Sequence, residues 1–223
     1  MYEIKNSKPV ELSDRVRFRC KRCAECCRHV EGAVVIESLD AFRISKHLKI
    51  GIEEFYDKYT DMFILEDTIY PIFALKTTGK DKECIFLKGK RCTIQDAKPR
   101  TCRMYPFWIE PCGYDERDFK YNLSTEHTHH PKGSLIRVKD WMNKYFYEED
   151  RKFLSEEYRT VTQIAPLLNT VQHLKKDQED ILKLILFYRY YNFNLGEPFL
   201  VQQHNNNITL ESALKCKIET LMK

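Results

Sequence analysis

Residues 20–28 read CKRCAECCR, so four thiols, Cys20, Cys23, Cys26 and Cys27, fall within eight residues. No other stretch limits the fold as strongly. Neighbouring cysteines such as Cys26 and Cys27 cannot pair with each other without severe strain. The total of nine cysteines also leaves one over in any complete set of disulfides. The opening MYEIKNSKPVELSDRVRF has no apolar signal stretch. The most apolar run, ILKLILFYRYY from Ile181, is interrupted by Lys183 and Arg189 and is too short to span a bilayer. We therefore expect a soluble, cytoplasmic protein with no membrane partner. Thiols stay reduced there, which favours metal ligation over cross-linking.

A second group follows at wider spacing: Cys84, seven residues, Cys92, nine, Cys102, nine, Cys112. CIFLKGKRC has the form of a hairpin with Gly89 near its tip, holding Cys84 and Cys92 close. Pro99 and Arg100 would end any short helix after Cys92 and deliver Cys102. Thiolates are soft donors suited to zinc and to iron–sulfur centres. Were the first run helical, Cys20, Cys23 and Cys27 would share a sector of about 60°, with Cys26 pointing away from two of them. A looped backbone would gather all four. Eight thiols, Cys20, Cys23, Cys26, Cys27, Cys84, Cys92, Cys102 and Cys112, suffice for two four-coordinate centres or for one cubane with thiols to spare.

Several known signatures are excluded. A bacterial ferredoxin run needs its fourth cysteine at position 30, where Val30 stands, followed by Glu31 in place of proline. A C-x3-C-x2-C run fails at the same valine. There is no two-cysteine, two-histidine finger of standard length. The seven glycines are scattered singly, so neither a G-x-G-x-x-G loop nor a P-loop exists. A net charge of +4 and a pI near 8.5 do not call for a nucleic-acid partner.

Eight of the cysteines lie between positions 20 and 112. We expect an α+β fold: a small, irregular, cysteine-rich metal-binding domain over residues 1–134, and an α-helical extension over 135–223. The border falls at HHPKGS, where Pro131 and Gly133 punctuate the chain. AVVIE predicts a strand, and SLDAFRISKHL a helix capped by Ser38. GIEEFYDKYTDMF predicts a second helix, and the run broken by Pro71 a strand and turn. Asp140 and Asp177 are candidate caps for helices in the second part, with acids in the first turn of the latter suiting the helix dipole. TLESALKCKIETLM predicts an amphipathic closing helix, where Cys216 is an idle thiol.

Basic residues crowd the first thiols: Arg15, Arg17, Arg19, Lys21, Arg22 and Arg28. Arg100 and Arg103 flank Cys102. A thiolate-ligated cluster is anionic, so these arginines are candidate cofactor-binding residues that compensate charge and donate hydrogen bonds to sulfur. Tyr105, in MYPFWIEP, is a third candidate: with Phe107 and Trp108 it would shield a centre from water or hold a sulfonium by cation–π attraction. His127, His129 and His130 have a spacing that could bind a metal but read first as an exposed loop, and His29, beside Cys27, is a slightly better candidate ligand or a plain surface residue. No catalytic acid or base is assignable from spacing.

CKRCAECC followed by CIFLKGKRCTIQDAKPRTCRMYPF resembles the CxxCxxCC, or YkgJ-type, cysteine-cluster family, a zinc- or iron-chelating domain. The matching positions of the second motif are Cys84, Phe86, Leu87, Cys92, Ile94, Pro99, Cys102, Arg103, Tyr105, Pro106 and Phe107. Departures are Ala24 where glycine is common, Gln95 for tyrosine and Lys98 for arginine. The same domain occurs in flagellin lysine methylases. That resemblance implies a [4Fe-4S] cluster, S-adenosylmethionine as methyl donor and a lysine of a protein as acceptor. The other expectation is a Zn2+-stabilised protein-interaction module without catalysis.

Overall fold

A computed structural model describes residues 6–65, 68–125, 134–171 and 178–221. In chain order the elements begin with β1 (Ser7–Val10) and β2 (Arg15–Arg17), then the thiol loop with a single 3-10 turn, Glu25–Cys27. Next come β3 (Val35–Ile36), α1 (Ser38–Leu48), α2 (Ile52–Tyr59), β4 (Thr60–Ile64) and β5 (Pro71–Leu75). Short strands β6 (Thr77–Thr78), β7 (Glu83–Cys84), β8 (Leu87–Lys88) and β9 (Arg91–Cys92) follow. Then come α3 (Arg100–Met104), β10 (Phe107–Pro111), β11 (Phe119–Ser124) and β12 (Leu135–Arg137). The helices α4 (Val138–Tyr145), α5 (Glu148–Val171), α6 (Gln178–Leu186) and α7 (Phe199–Leu221) complete the described chain, with a π-turn at Phe187–Tyr191. The fold is mixed α and β, as the sequence implies. All strand pairing is antiparallel, in small sheets ordered β1-β11-β10, β3-β5-β4, β12-β2, β6-β7 and β8-β9.

Local chemistry accounts for the boundaries. Ser38 is the first helical residue of α1; the cap is Glu37, whose carboxylate faces Arg100 and makes no capping bond. α2 stops four residues short of the helix expected from the sequence. There Thr60, buried, turns its hydroxyl onto the Tyr56 carbonyl at 2.7 Å. The β-branched and aromatic run after it continues as a strand. Asp140 lies in the first turn of α4, after an Arg137 cap, instead of capping it. That helix ends at Tyr145 with Phe146 as its C-cap, and Asp150 caps the next by accepting the Tyr147 N–H at 2.9 Å. The expected cap Asp177 lies outside the described residues.

A single apolar core extends from Val10 to Ile218 and draws on both the cysteine-bearing part and the helices. β12 pairs with β2. Tyr56, Phe73, Tyr190 and Tyr191 stack into an aromatic knot joining α2, β5 and the π-turn, and the Tyr190 hydroxyl donates to the Pro71 carbonyl at 2.7 Å. Each such side chain, fully buried, contributes about 1.5–3 kcal/mol. Among the described residues no helix is long and apolar enough to cross a membrane.

Candidate metal centre

The first thiol run is looped. Arg22, Ala24 and His29 take left-handed backbone angles, with φ of 52°, 67° and 53°. Only the 3-10 turn bearing Cys26 and Cys27 is regular. This loop is tied to the second segment by three contacts. The His29 N–H donates to Asp81 O at 2.8 Å, the Val30 N–H to Lys82 O at 3.2 Å, and Arg28 pairs with Glu83 at 2.7 Å. Glu83 directly precedes Cys84, so these contacts draw Cys27 toward Cys84.

The second segment presents its thiols from three small elements. Cys84 lies on β7 opposite Thr77, and Cys92 on β9 opposite Leu87. The expected hairpin is present as β8-β9, with Gly89 at its tip in the left-handed region at φ +61°. Cys84 lies just outside it. Pro99 starts α3, which carries Cys102. The Arg100 N–H at its head donates to the buried Asp40 carboxylate at 2.8 Å.

Five thiols share one neighbourhood. Cys26 Sγ and Cys27 Sγ are 4.0 Å apart. That contact pushes the Cys26 thiol up and Cys27 down. Burial pushes Cys84 up, with Cys92 and Cys26 adding to it. Burial also pushes Cys102 up, followed by the charges of Cys84 and Cys26. One cation favours the thiolate in all four cases: Lys98 lowers Cys26, Cys27, Cys84 and Cys102 alike. Two clefts open beside the group. One of about 420 Å³ is bounded by Cys26, Arg28, His29, Thr101, Cys102 and Tyr105. The other, about 390 Å³, is bounded by Cys20, Arg22, Cys26, Cys92 and Lys98.

The remaining candidates fall as follows. Cys20 is exposed at the rim of the second cleft, and Cys23 is half-buried in the loop. Cys112 is exposed after β10, its N–H donating to Asp118 O, and the interactions linking the other thiols do not include it. Tyr105 borders the first cleft beside Cys26 and Cys102, its ring edge-on to Phe18. Arg100 and Arg103, expected to face sulfur, face carboxylates. Arg100 holds Glu37 through Nε and Nη2. Arg103 holds Asp150, the Tyr145 carbonyl at 2.9 Å and the Lys98 carbonyl at 3.4 Å, and lies 4.0 Å over the Tyr147 ring. A buried carboxylate such as Asp150 demands such a partner more strongly than a neutral thiol does. The arginines therefore fix α3 and the Lys98 backbone. Lys98 itself was legible only as the lysine standing where the resembled motif has arginine. His127, His129 and His130 lie outside the described residues.

The donor set fits a thiophilic ion by its chemistry: five thiols from two segments share one neighbourhood, and one lysine offsets the charge of four of them. Among the described residues, no three His, Cys, Asp or Glu side chains stand close enough together to hold a metal ion as they are placed. The fit thus rests on gathered donors.

Comparison with known proteins agrees with this chemistry. An uncharacterized protein of Methanocaldococcus jannaschii, MJ0661, is 31% identical over 97 residues, covering 43% of this chain and 47% of the relative. The match thus spans about half the length of that relative. No solved structure matches. The model of a family described as "CxxCxxCC: Putative zinc- or iron-chelating domain" matches residues 19–131, half of the chain. The chain belongs to this CxxCxxCC metal-binding family.

Proposed function

We propose that the protein holds an iron–sulfur cluster, with ligands drawn from Cys26, Cys27, Cys84, Cys92 and Cys102 and with Cys20 and Cys23 at the rim. The observation that carries this reading is the gathering of thiols from two segments about sixty residues apart around two clefts, one bordered by Cys26 and Cys102 and the other by Cys20, Cys26 and Cys92, with Cys27 Sγ 4.0 Å from Cys26 Sγ. Five gathered thiols exceed the four of a closed structural zinc site, and the clefts of about 420 and 390 Å³ leave access that such sites lack. When bound, the cluster supplies a redox-active or Lewis-acidic centre. The chain's own part is to orient the thiols through Arg28–Glu83 and α3, to offset charge through Lys98, and to line the larger cleft with Tyr105.

Methyl transfer from S-adenosylmethionine to a protein lysine is the activity we propose for such a centre, with the larger cleft as the place for the donor. In that reaction the sulfonium–methyl bond breaks, a nitrogen–methyl bond forms, and the amine loses a proton to solvent. A zinc-stabilised, non-catalytic module is the second reading. It is favoured by Cys27, Cys84, Cys92 and Cys102 alone making up a four-thiolate set.

Oxygen-free purification followed by iron, zinc and acid-labile sulfide analysis separates these readings. About four iron and four sulfide per chain, lost in Cys84→Ser and Cys102→Ser, is the expected result. Zinc without sulfide selects the second reading. A folded protein with neither metal refutes both. Labelled-methyl transfer to proteins of a cell extract tests the activity, and none from cluster-loaded protein would rule it out.

A further inference from the structure

β4 is an edge strand: its sheet runs β3-β5-β4, and nothing pairs with its outer side among the described residues. Its register shows which backbone groups are turned outward. The Lys76 N–H donates to Tyr59 O and the Leu65 N–H to Tyr70 O, so Tyr59–Lys76 and Leu65–Tyr70 are hydrogen-bonded pairs. Such pairs alternate along an antiparallel ladder. Asp61 and Phe63 therefore bond inward to β5, and the peptide groups of Met62 and Ile64 point away from the sheet. Met62, Phe63 and Ile64 are also exposed, at 45%, 43% and 44%. Folded proteins usually blunt such an edge with lysine, proline or a bulge; this strand carries three consecutive large apolar residues.

The surroundings are acidic. Glu53, Glu54 and Asp57 are exposed on α2, which runs directly into β4, and Asp61 is exposed on the strand. Lys58 and Lys76 are the nearby cations by sequence and pairing. Lys58 lies 5.5 Å over the Tyr59 ring, and Lys76 is engaged with the Asp57 carbonyl at 2.6 Å. Two copies of the chain joined through β4 would bring these carboxylates together, which disfavours self-pairing.

We infer that β4 is a docking edge for an extended peptide segment of another protein, one with apolar residues and flanking lysine or arginine. The guest would add as a further strand through the outward groups of Met62 and Ile64. It would cover the three apolar side chains and place its cations on Asp61 and the α2 carboxylates. None of the candidate thiol ligands lies on this strand, so the inference stands independently of the metal centre.

The test is selection of a phage-displayed random 12-residue peptide library on the reduced protein, followed by fluorescence anisotropy with the enriched peptides. Enrichment of apolar sequences flanked by lysine or arginine is expected. Met62→Pro removes an N–H that the fold does not use, so its circular dichroism should match the parent while peptide affinity falls at least about tenfold. Phe63→Arg, at an exposed position, repels the same peptides and serves should the proline variant fail to fold. Three results would overturn the inference: no enriched peptide, enrichment of acidic or uncharged sequences, or equal binding by the variants. A parent that sediments as a dimer, dissociated by either substitution, would also overturn it by assigning the edge to a second copy.

Discussion

Asp150→Asn is the substitution whose cost the structure fixes best. The Asp150 side chain is 1% exposed and receives both Arg43 and Arg103, whose side chains are 19% and 12% exposed. It also accepts the Tyr147 N–H at 2.9 Å. Asparagine keeps the volume, removes the charge and turns an amide NH2 toward a guanidinium. Breaking a buried ion pair by removing one partner costs about 3–5 kcal/mol, because the remaining charge is buried without compensation. For a chain of this size that lowers the melting temperature by roughly 6–20 °C. Urea unfolding of reduced protein measures the cost. A double-mutant cycle with Arg103→Met isolates that pair, since deleting both partners removes the Arg103 charge while Arg43 keeps Glu149. The coupling should exceed about 1 kcal/mol. The same Arg103 holds the backbone ahead of Cys102, so metal affinity should fall about 10- to 100-fold in Asp150→Asn. A cost under about 1 kcal/mol, with additive single effects, would refute the clamp.

Burial, then Glu37, pushes the Asp40 carboxyl up from 3.8 to about 7. The folded state therefore binds this proton more tightly than the unfolded one, and the stabilisation it confers, at most about 4 kcal/mol, is present below about pH 4 and lost as pH rises through 7. Asp40→Asn keeps an acceptor for the Arg100 N–H, so its melting temperature, compared with the parent at pH 5 and 7.5, should decline less. Lys98→Glu should lower zinc or iron affinity about 10- to 100-fold in competition titrations, and Lys98→Arg should restore most of it. Lys21 and Arg22 are exposed in the first thiol loop, so trypsin should cut there in chelator-treated protein and at least about tenfold more slowly once metal is added.

The sequence made the second thiol segment legible because its signals are local. Gly89 at a positive φ, Pro99 at a helix start and the β8-β9 alternation each act within a few residues. α1 was legible for the same reason. What stayed hidden depends on contacts across the chain. Asp150 gives no hint in sequence that it receives Arg43, more than a hundred residues away. Nor could spacing reveal that Arg100 and Arg103 turn to carboxylates while Lys98 takes the thiol side. One apparent departure from the family pattern has a backbone reason. Ala24, where glycine is common, sits at φ 67° and ψ 12° in the left-handed region, which glycine occupies without the steric cost an alanine meets there.

The two halves of the thiol set are supported in different ways. Cys84, Cys92 and Cys102 stand on elements fixed by protein alone: two short ladders, and a helix held by Arg100 on Glu37 and Asp40 and by Arg103 on Asp150. Cys20, Cys23, Cys26 and Cys27 stand on a loop with three non-glycine residues at positive φ. Its ties to the rest include the two backbone bonds, the Arg28–Glu83 pair near Cys84 and, at its end, Lys82 on Glu31 at 2.7 Å. A rigid half and a compliant half suit a centre shared between them. Cys84, Cys92 and Cys102 would hold a thiophilic ion from positions the protein fixes, and Cys26 and Cys27 would add donors from the loop, where ligation would supply order. The asymmetry also accounts for why no three described donors stand close enough together to hold an ion as placed. The protein supplies position for one half, and the ligand bonds themselves must supply it for the other.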